Sequence, residues 1–195
     1  MAIAPQIPLN CISLEEFLTL AETKPAQEYI DGEIYQKPMP QGQHSTLQSE
    51  IVIAINHLAK PRKIAYAFPE LRCTFSSSVG SQSIVPDISV LKWENIPLES
   101  QGRVANKIAI PPDWLIEILS PGQSPLLVVN KISLAIRNGS QLGWLISPAQ
   151  EIVMVFVGDA LPETKQGTDK LPVLDVLQDW RLSAQDIFNL LNFGI

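Results

Sequence analysis

The run Trp114-Leu115-Ile116-Glu117-Ile118-Leu119 is apolar on both faces of an extended strand except at one carboxylate. A strand of that kind is stable inside a sheet covered on both sides, so the chain must build layers around it. A second run, Ile84-Val85-Pro86-Asp87-Ile88-Ser89-Val90, has the same character and again carries one acid. Strands are expected over 65–75, 84–91 and 113–120. A loop with Pro97, Gly102, Pro111 and Pro112 separates the last two. A chain of 195 residues that is 46% hydrophobic can bury one such core.

Helices alternate with these strands. Ser13-Leu14-Glu15-Glu16 reads as a capping box, with Ile12 and Phe17 as its hydrophobic staple, and opens a short helix over about 14–21. Asp31-Gly32, between two β-prone runs, marks a hairpin. Leu47, Ile51, Ala54, Ile55 and Leu58 recur at helical spacing and predict a helix over about 43–59. Pro125 after Ser124, with Gly139 as the stop, predicts another over 125–138, although its β-branched residues oppose it. Strands at 142–147 and 151–157 form a hairpin around Ser147-Pro148. Residues 159–170 read as a polar loop, and Ser183 with Asp186 caps a last helix over about 184–192. The mixture predicts an α/β or α+β fold with a central mixed β-sheet flanked by helices. Residues 1–11 read as an N-terminal arm, 12–160 as the main domain, and 161–195 as a loop and helix packing on it.

Charge narrows the function classes. Charged residues make up 17%, below the roughly 25% usual for soluble domains, and the formal net charge is −6. An acidic surface repels phosphates, so a nucleic-acid partner needs a local basic patch or a bound metal. The one basic cluster is Lys60-Pro61-Arg62-Lys63, which also reads as a solvated helix end. No apolar run reaches the ~18 residues of a membrane helix, and the first residues lack a secretory signal, so a cytoplasmic chain is expected. Cys11 and Cys73 are too few for a disulfide framework or a cysteine-rich zinc site and read as small apolar fillers.

Three side chains could carry chemistry. Glu117 shares a strand face with Leu115 and Leu119, where a carboxylate is costly unless paired; the alternative is an edge-strand surface glutamate. Asp87 follows Pro86, a dipeptide that also marks turns. If their strands pair, the two carboxylates converge, and a divalent cation would relieve their repulsion; oxygen ligands suit a hard ion such as Mg²⁺. Lys131 stands among Val128, Val129, Ile132 and Leu134. It either snorkels to solvent or reaches those carboxylates.

The segments Glu28-Tyr-Ile-Asp-Gly-Glu33, His44-Ser45, Val85-Pro-Asp87, Glu117-Ile-Leu-Ser-Pro121, Lys131 and Gly139 to Pro148 resemble the Uma2 family. These are restriction-endonuclease-like proteins of the PD-(D/E)XK nuclease fold, and the resemblance spans about 12–160. It implies a metal-dependent endonuclease acting on DNA phosphodiester bonds. Asp87 and Glu117 would hold Mg²⁺ or Mn²⁺, with the Ile118 carbonyl as a further candidate ligand. The usual nuclease lysine lies two residues after the glutamate, a position held here by Leu119; Lys131 matches the helix lysine that substitutes in Uma2-like sequences. Glu33 and His44 match two further polar positions and join Lys131 as catalytic candidates, with Glu70 a weaker one. A homodimer is expected by analogy, since duplex DNA has two strands. The chain departs from the family pattern in the apolar stretch 122–130, at Ala135 in place of a tyrosine, and at Gly143 in place of an aromatic residue.

Two other readings stay open. One is a binding or assembly module on a nuclease fold without catalysis, favoured by the acidic composition and those departures. The other is an acidic domain whose apolar strands serve dimerisation.

Overall fold

The computed structural model describes residues 12–77 and 80–194; the proposed N-terminal arm and Cys11 lie outside them. Two sheets carry the strands among these residues. The smaller has the order β2-β1-β5-β4, from β1 (Gln27–Ile30), β2 (Glu33–Gln36), β4 (Cys73–Ser77) and β5 (Gly80–Ile84). The larger has the order β10-β9-β8-β7-β6-β3. Its members are β3 (Ala65–Pro69), β6 (Ile88–Lys92), β7 (Trp114–Ile118), β8 (Leu142–Ser147), β9 (Ile152–Val157) and β10 (Glu163–Gln166). The pair β7–β8 is parallel and its other neighbours are antiparallel, which makes the sheet mixed, as expected.

The parallel pair requires a crossover, and α3 (Pro125–Arg137) supplies it. Proline at its first position and Gly139 at φ +114° just past its end fix both boundaries, against the poor propensity of its β-branched residues. Burial overrides propensity: Val128, Ile132, Leu134 and Ala135 are all buried. The helix lies so close to β8 that a Cβ on Gly143 would stand 2.4 Å from Ile132 Cγ2. Gly143 thus gives Ile132 room to sit directly on the sheet.

Helix α2 (Gly42–Ala59) presents Leu47, Ile51, Ile55 and Ala59, one every four residues, to the opposite face. Trp114, Ile116 and Ile118 of β7 point into this core, and residues of the 161–194 segment, from Leu171 to Phe188, complete it. Leu115 points the other way, into the core shared by α3 and the small sheet. Asn56 of α2 hydrogen-bonds both backbone groups of Ala67, closing part of the edge that β3 leaves unpaired. Cys73 is buried in the second core, as its apolar reading required, and burial pushes its thiol up to about 12.

Several expected elements have different bounds. The run 65–75 divides between the two sheets because Glu70 takes a left-handed turn, φ +47°, after Pro69. The run 84–91 divides likewise, since Val85-Pro86-Asp87 carries the chain from the small sheet to the large one. Asp87 therefore sits at the seam between the sheets, not within a strand. Residues 159–170 include strand β10, whose polar side chains suit an exposed edge. Helices α1 (Leu14–Phe17) and α4 (Ala184–Asn189) stop earlier than read, though both open on the expected capping boxes. Among the described residues no helix is long and apolar enough to cross a membrane.

Candidate active site

The seam gathers side chains from β1, α2, β7 and α3, and from the turns at Lys37 and Asp87, into the interior. Pairing of β6 with β7 sets Ile88 opposite Ile116, which brings the turn bearing Asp87 beside the end of β7. Asp87 Oδ2 accepts a 2.7 Å hydrogen bond from the Ile118 backbone N–H and lies 3.1 Å from His44 Nε2. Its Oδ1 accepts from Lys37 Nζ at 2.7 Å. The Asp87 carbonyl accepts from Gln48 of α2 and from the Glu70 N–H, so backbone and side chain are both fixed.

A second half of the cluster forms around Lys131. Its Nζ lies 3.0 Å from each oxygen of Glu28 and 2.9 Å from Glu117 Oε1. Glu28 Oε1 also accepts from the Val85 N–H, while Lys37 donates to the Val85 carbonyl. The two halves are thus joined through one residue of the seam. Glu28, Asp87, Glu117 and Lys131 are each no more than 4% exposed.

Burial penalises charge on all of them, and the neighbours decide the outcome. For Asp87, burial alone would raise the carboxyl pKa. Lys37 first, then His44 and Lys131, overcome that and hold it well below the usual carboxylate range. For Glu117 burial prevails, helped by Asp87 and Glu28 against the opposing lysines, and pushes the carboxyl up to about 8. Burial opposes the charge of Lys131, yet Glu117 and Glu28 outweigh it and raise its pKa. Lys37 is raised as well, against burial, chiefly by Asp87. Two carboxylates with opposite shifts in one buried site mark a candidate for chemistry.

Asp87 and Glu117 are the residues that could hold a divalent ion. Lys131 Nζ is near Glu117 Oε1 but off the line of a hydrogen bond, so this buried oxygen has no aligned donor among the described residues. An orphaned carboxylate oxygen beside a second acid fits a hard cation with oxygen ligands. Among the described residues no three His, Cys, Asp or Glu side chains are set around a common ion position.

The other sequence candidates fall as follows. His44, in the first turn of α2, joins the cluster through Asp87. Glu33 begins β2 on the small sheet and accepts from the Tyr35 hydroxyl; no bond joins it to Asp87, Glu117 or Lys131 among the described residues. Glu70 is exposed and contributes only its N–H. Ile118 meets the cluster through its N–H. The basic cluster lies at the far end of α2, about 24 Å along the helix from His44 by its rise per residue. There Lys60 covers the Tyr66 ring and Arg62 faces Asp179. Glu28 and Lys37 are members the sequence reading did not assign. Glu28 opens a recognised motif, but nothing local tells a buried strand glutamate from a solvated one.

Beside the cluster is a cleft of about 660 Å³ off the carboxyl ends of β7 and β8. His44, Leu119, Ser120, Gln123 and Ser147 help to line it, and the N-termini of α2 and α3 open into it.

A mixed α+β fold of this arrangement is shared with a solved protein. The crystal structure of a "putative nuclease belonging to DUF820" from Anabaena variabilis superposes with a TM-score of 0.88 at 49% identity, covering 93% of this chain and 99% of that one. The chain belongs to the Uma2 family, described as "Putative restriction endonuclease", whose model matches residues 14–185. No curated protein matches it.

Proposed function

We propose that this protein is an endonuclease that hydrolyses DNA phosphodiester bonds with the aid of Mg²⁺ or Mn²⁺. The observation that carries the reading is the convergence of Asp87, Glu117 and Lys131 from separate elements into one buried cluster. Asp87 and Glu117 would hold the ion, which when bound supplies Lewis acidity toward the phosphoryl group. Lys131 is the group to neutralise charge developing on the phosphoryl oxygens. One preorganised group of this kind is worth on the order of 3–4 kcal/mol of barrier. Glu28 orients Lys131 by gripping it at both oxygens. Lys37 and His44 hold Asp87 ionised and aligned. In a homodimer, each copy would cut one strand.

One observation favours a binding module without catalysis: Lys131 is already engaged by both oxygens of Glu28 and lies beside Glu117, so it is committed to structural contacts. Supercoiled plasmid separates the two. An endonuclease converts it to the nicked form in Mg²⁺ or Mn²⁺ and stops when the ion is chelated. A module leaves it supercoiled in both.

A further inference from the structure

The formal net charge is −6, and among the described residues His44 is the one ionisable side chain lining the cleft. An anionic ligand must be met there by something other than lysine or arginine. The helix starts differ in a way that bears on this. Helices α1 and α4 are closed by Ser13 with Glu16 and by Ser183 with Asp186. Neither Gln41 nor Ser124 caps α2 or α3 through its side chain, and neither helix has an acid in its first turn. These uncapped ends, of helices 18 and 13 residues long, are the ones that open on the cleft. Their first-turn N–H groups have no partner within the helix, and the dipoles favour negative charge.

Two buried side chains point to a ligand independently. Ser120 lines the cleft at 6% exposure, and its hydroxyl has no hydrogen-bond partner among the described residues. His44 lines it at 7%, with Nε2 on Asp87 and Nδ1 without a hydrogen-bond partner among the described residues. A buried hydroxyl without a partner costs stability unless something completes it.

We propose that this cleft seats a phosphate group, held by the first-turn N–H groups of Gly42, Gln43 and His44 in α2 and by the Ser120 hydroxyl, with the dipole of α3, whose first residue Pro125 has no N–H, adding to the positive field. For the identity of the ligand the inference rests on the nuclease reading: the group is a phosphodiester of the substrate strand next to the one being cut. Neutral backbone donors let an acidic protein hold a polyanion.

The test is calorimetric titration of the full chain, without added metal, with inorganic phosphate and with a dinucleoside monophosphate that lacks a terminal phosphate. Both should bind. Gln43→Glu puts a carboxylate in the first turn of α2, which should weaken both ligands about fivefold or more while holding or raising the melting temperature. Ser120→Ala should weaken both. Gly42→Pro, which deletes one N–H where proline suits a helix start, should do the same. Unchanged affinity in Gln43→Glu and Ser120→Ala would overturn the site. Binding of inorganic phosphate alone would overturn its assignment to a phosphodiester. Phosphate binding without plasmid cleavage would support the site and remove the nuclease; cleavage without phosphate binding would remove only the site.

Discussion

Lys131 Nζ stands 2.9 Å from Glu117 Oε1 and 3.0 Å from both oxygens of Glu28. One ammonium thus ties helix α3 to the large sheet through β7 and to the small sheet through β1. Its position is structural and chemical together, which sets how substitutions there must be interpreted.

Lys131→Met should destabilise the fold by about 3–5 kcal/mol, because it leaves buried carboxylates without their cation. Adding Glu28→Gln should recover part of that loss, since the carboxylate that held the ammonium at both oxygens is then replaced by a neutral amide. Denaturant unfolding of the two single variants and the double variant measures the coupling.

Stability should depend on pH through Glu117. Its carboxyl titrates near 8 in the fold against an ordinary value of 4.5. Between those values the folded protein keeps a proton that the unfolded chain has released. The stabilisation is therefore complete below 4.5, declines as pH rises to about 8, and then levels off. The slope approaches roughly 1 kcal/mol per pH unit, and Glu117→Gln should flatten it. Asp87 acts at the acid end with the opposite sign. Its lowered pKa contributes stability that is present above 3.8 and is lost as pH falls below that value. Urea unfolding across the pH range checks both.

Mn²⁺ should raise the melting temperature, because an ion bound by Asp87 and Glu117 stabilises the folded state by about 3 kcal/mol at a hundredfold excess over its dissociation constant. The gain should grow toward pH 8, where Glu117 ionises more readily. Asp87→Ala should abolish it. A thermal scan with and without the ion is sufficient.

Gly143→Ala should cost about 1–3 kcal/mol through overpacking, since the new Cβ would meet Ile132 Cγ2 at 2.4 Å. Ile132→Leu removes that methyl group, so the double variant should be more stable than the two single losses added together.

Two departures from the family pattern acquire a physical sense here. Gly143 lets α3 settle onto β8 and Ala135 is buried on the helix's inner face, whereas of the apolar stretch 122–130 only Val128 is buried and Leu126 is exposed. That helix was legible because proline and glycine punctuate it. The face of Glu117 was legible too: alternation along β7 puts Leu115 in one core and Trp114, Ile116 and Ile118 in the other. What local pattern could not reveal was the exchange of sheets. Continuous β-prone runs at 65–75 and 84–91 hide turns at Glu70 and at Val85-Pro86-Asp87, and those turns decide which sheet each half joins. Glu28 and Lys37 were obscured for the same reason. Their burial follows from the small sheet folding onto Val85, a contact 57 residues from Glu28 along the chain. Beside a hairpin, such polar residues otherwise look solvated.

The central claim is that Asp87 and Glu117 hold the ion for phosphodiester cleavage. Nicking of supercoiled plasmid in Mg²⁺ or Mn²⁺ by the wild-type chain and by folded Asp87→Ala and Glu117→Ala variants tests it most directly. The wild type should give nicked product and neither variant any. Equal nicking by a variant, or an intact plasmid with the wild type, would contradict it.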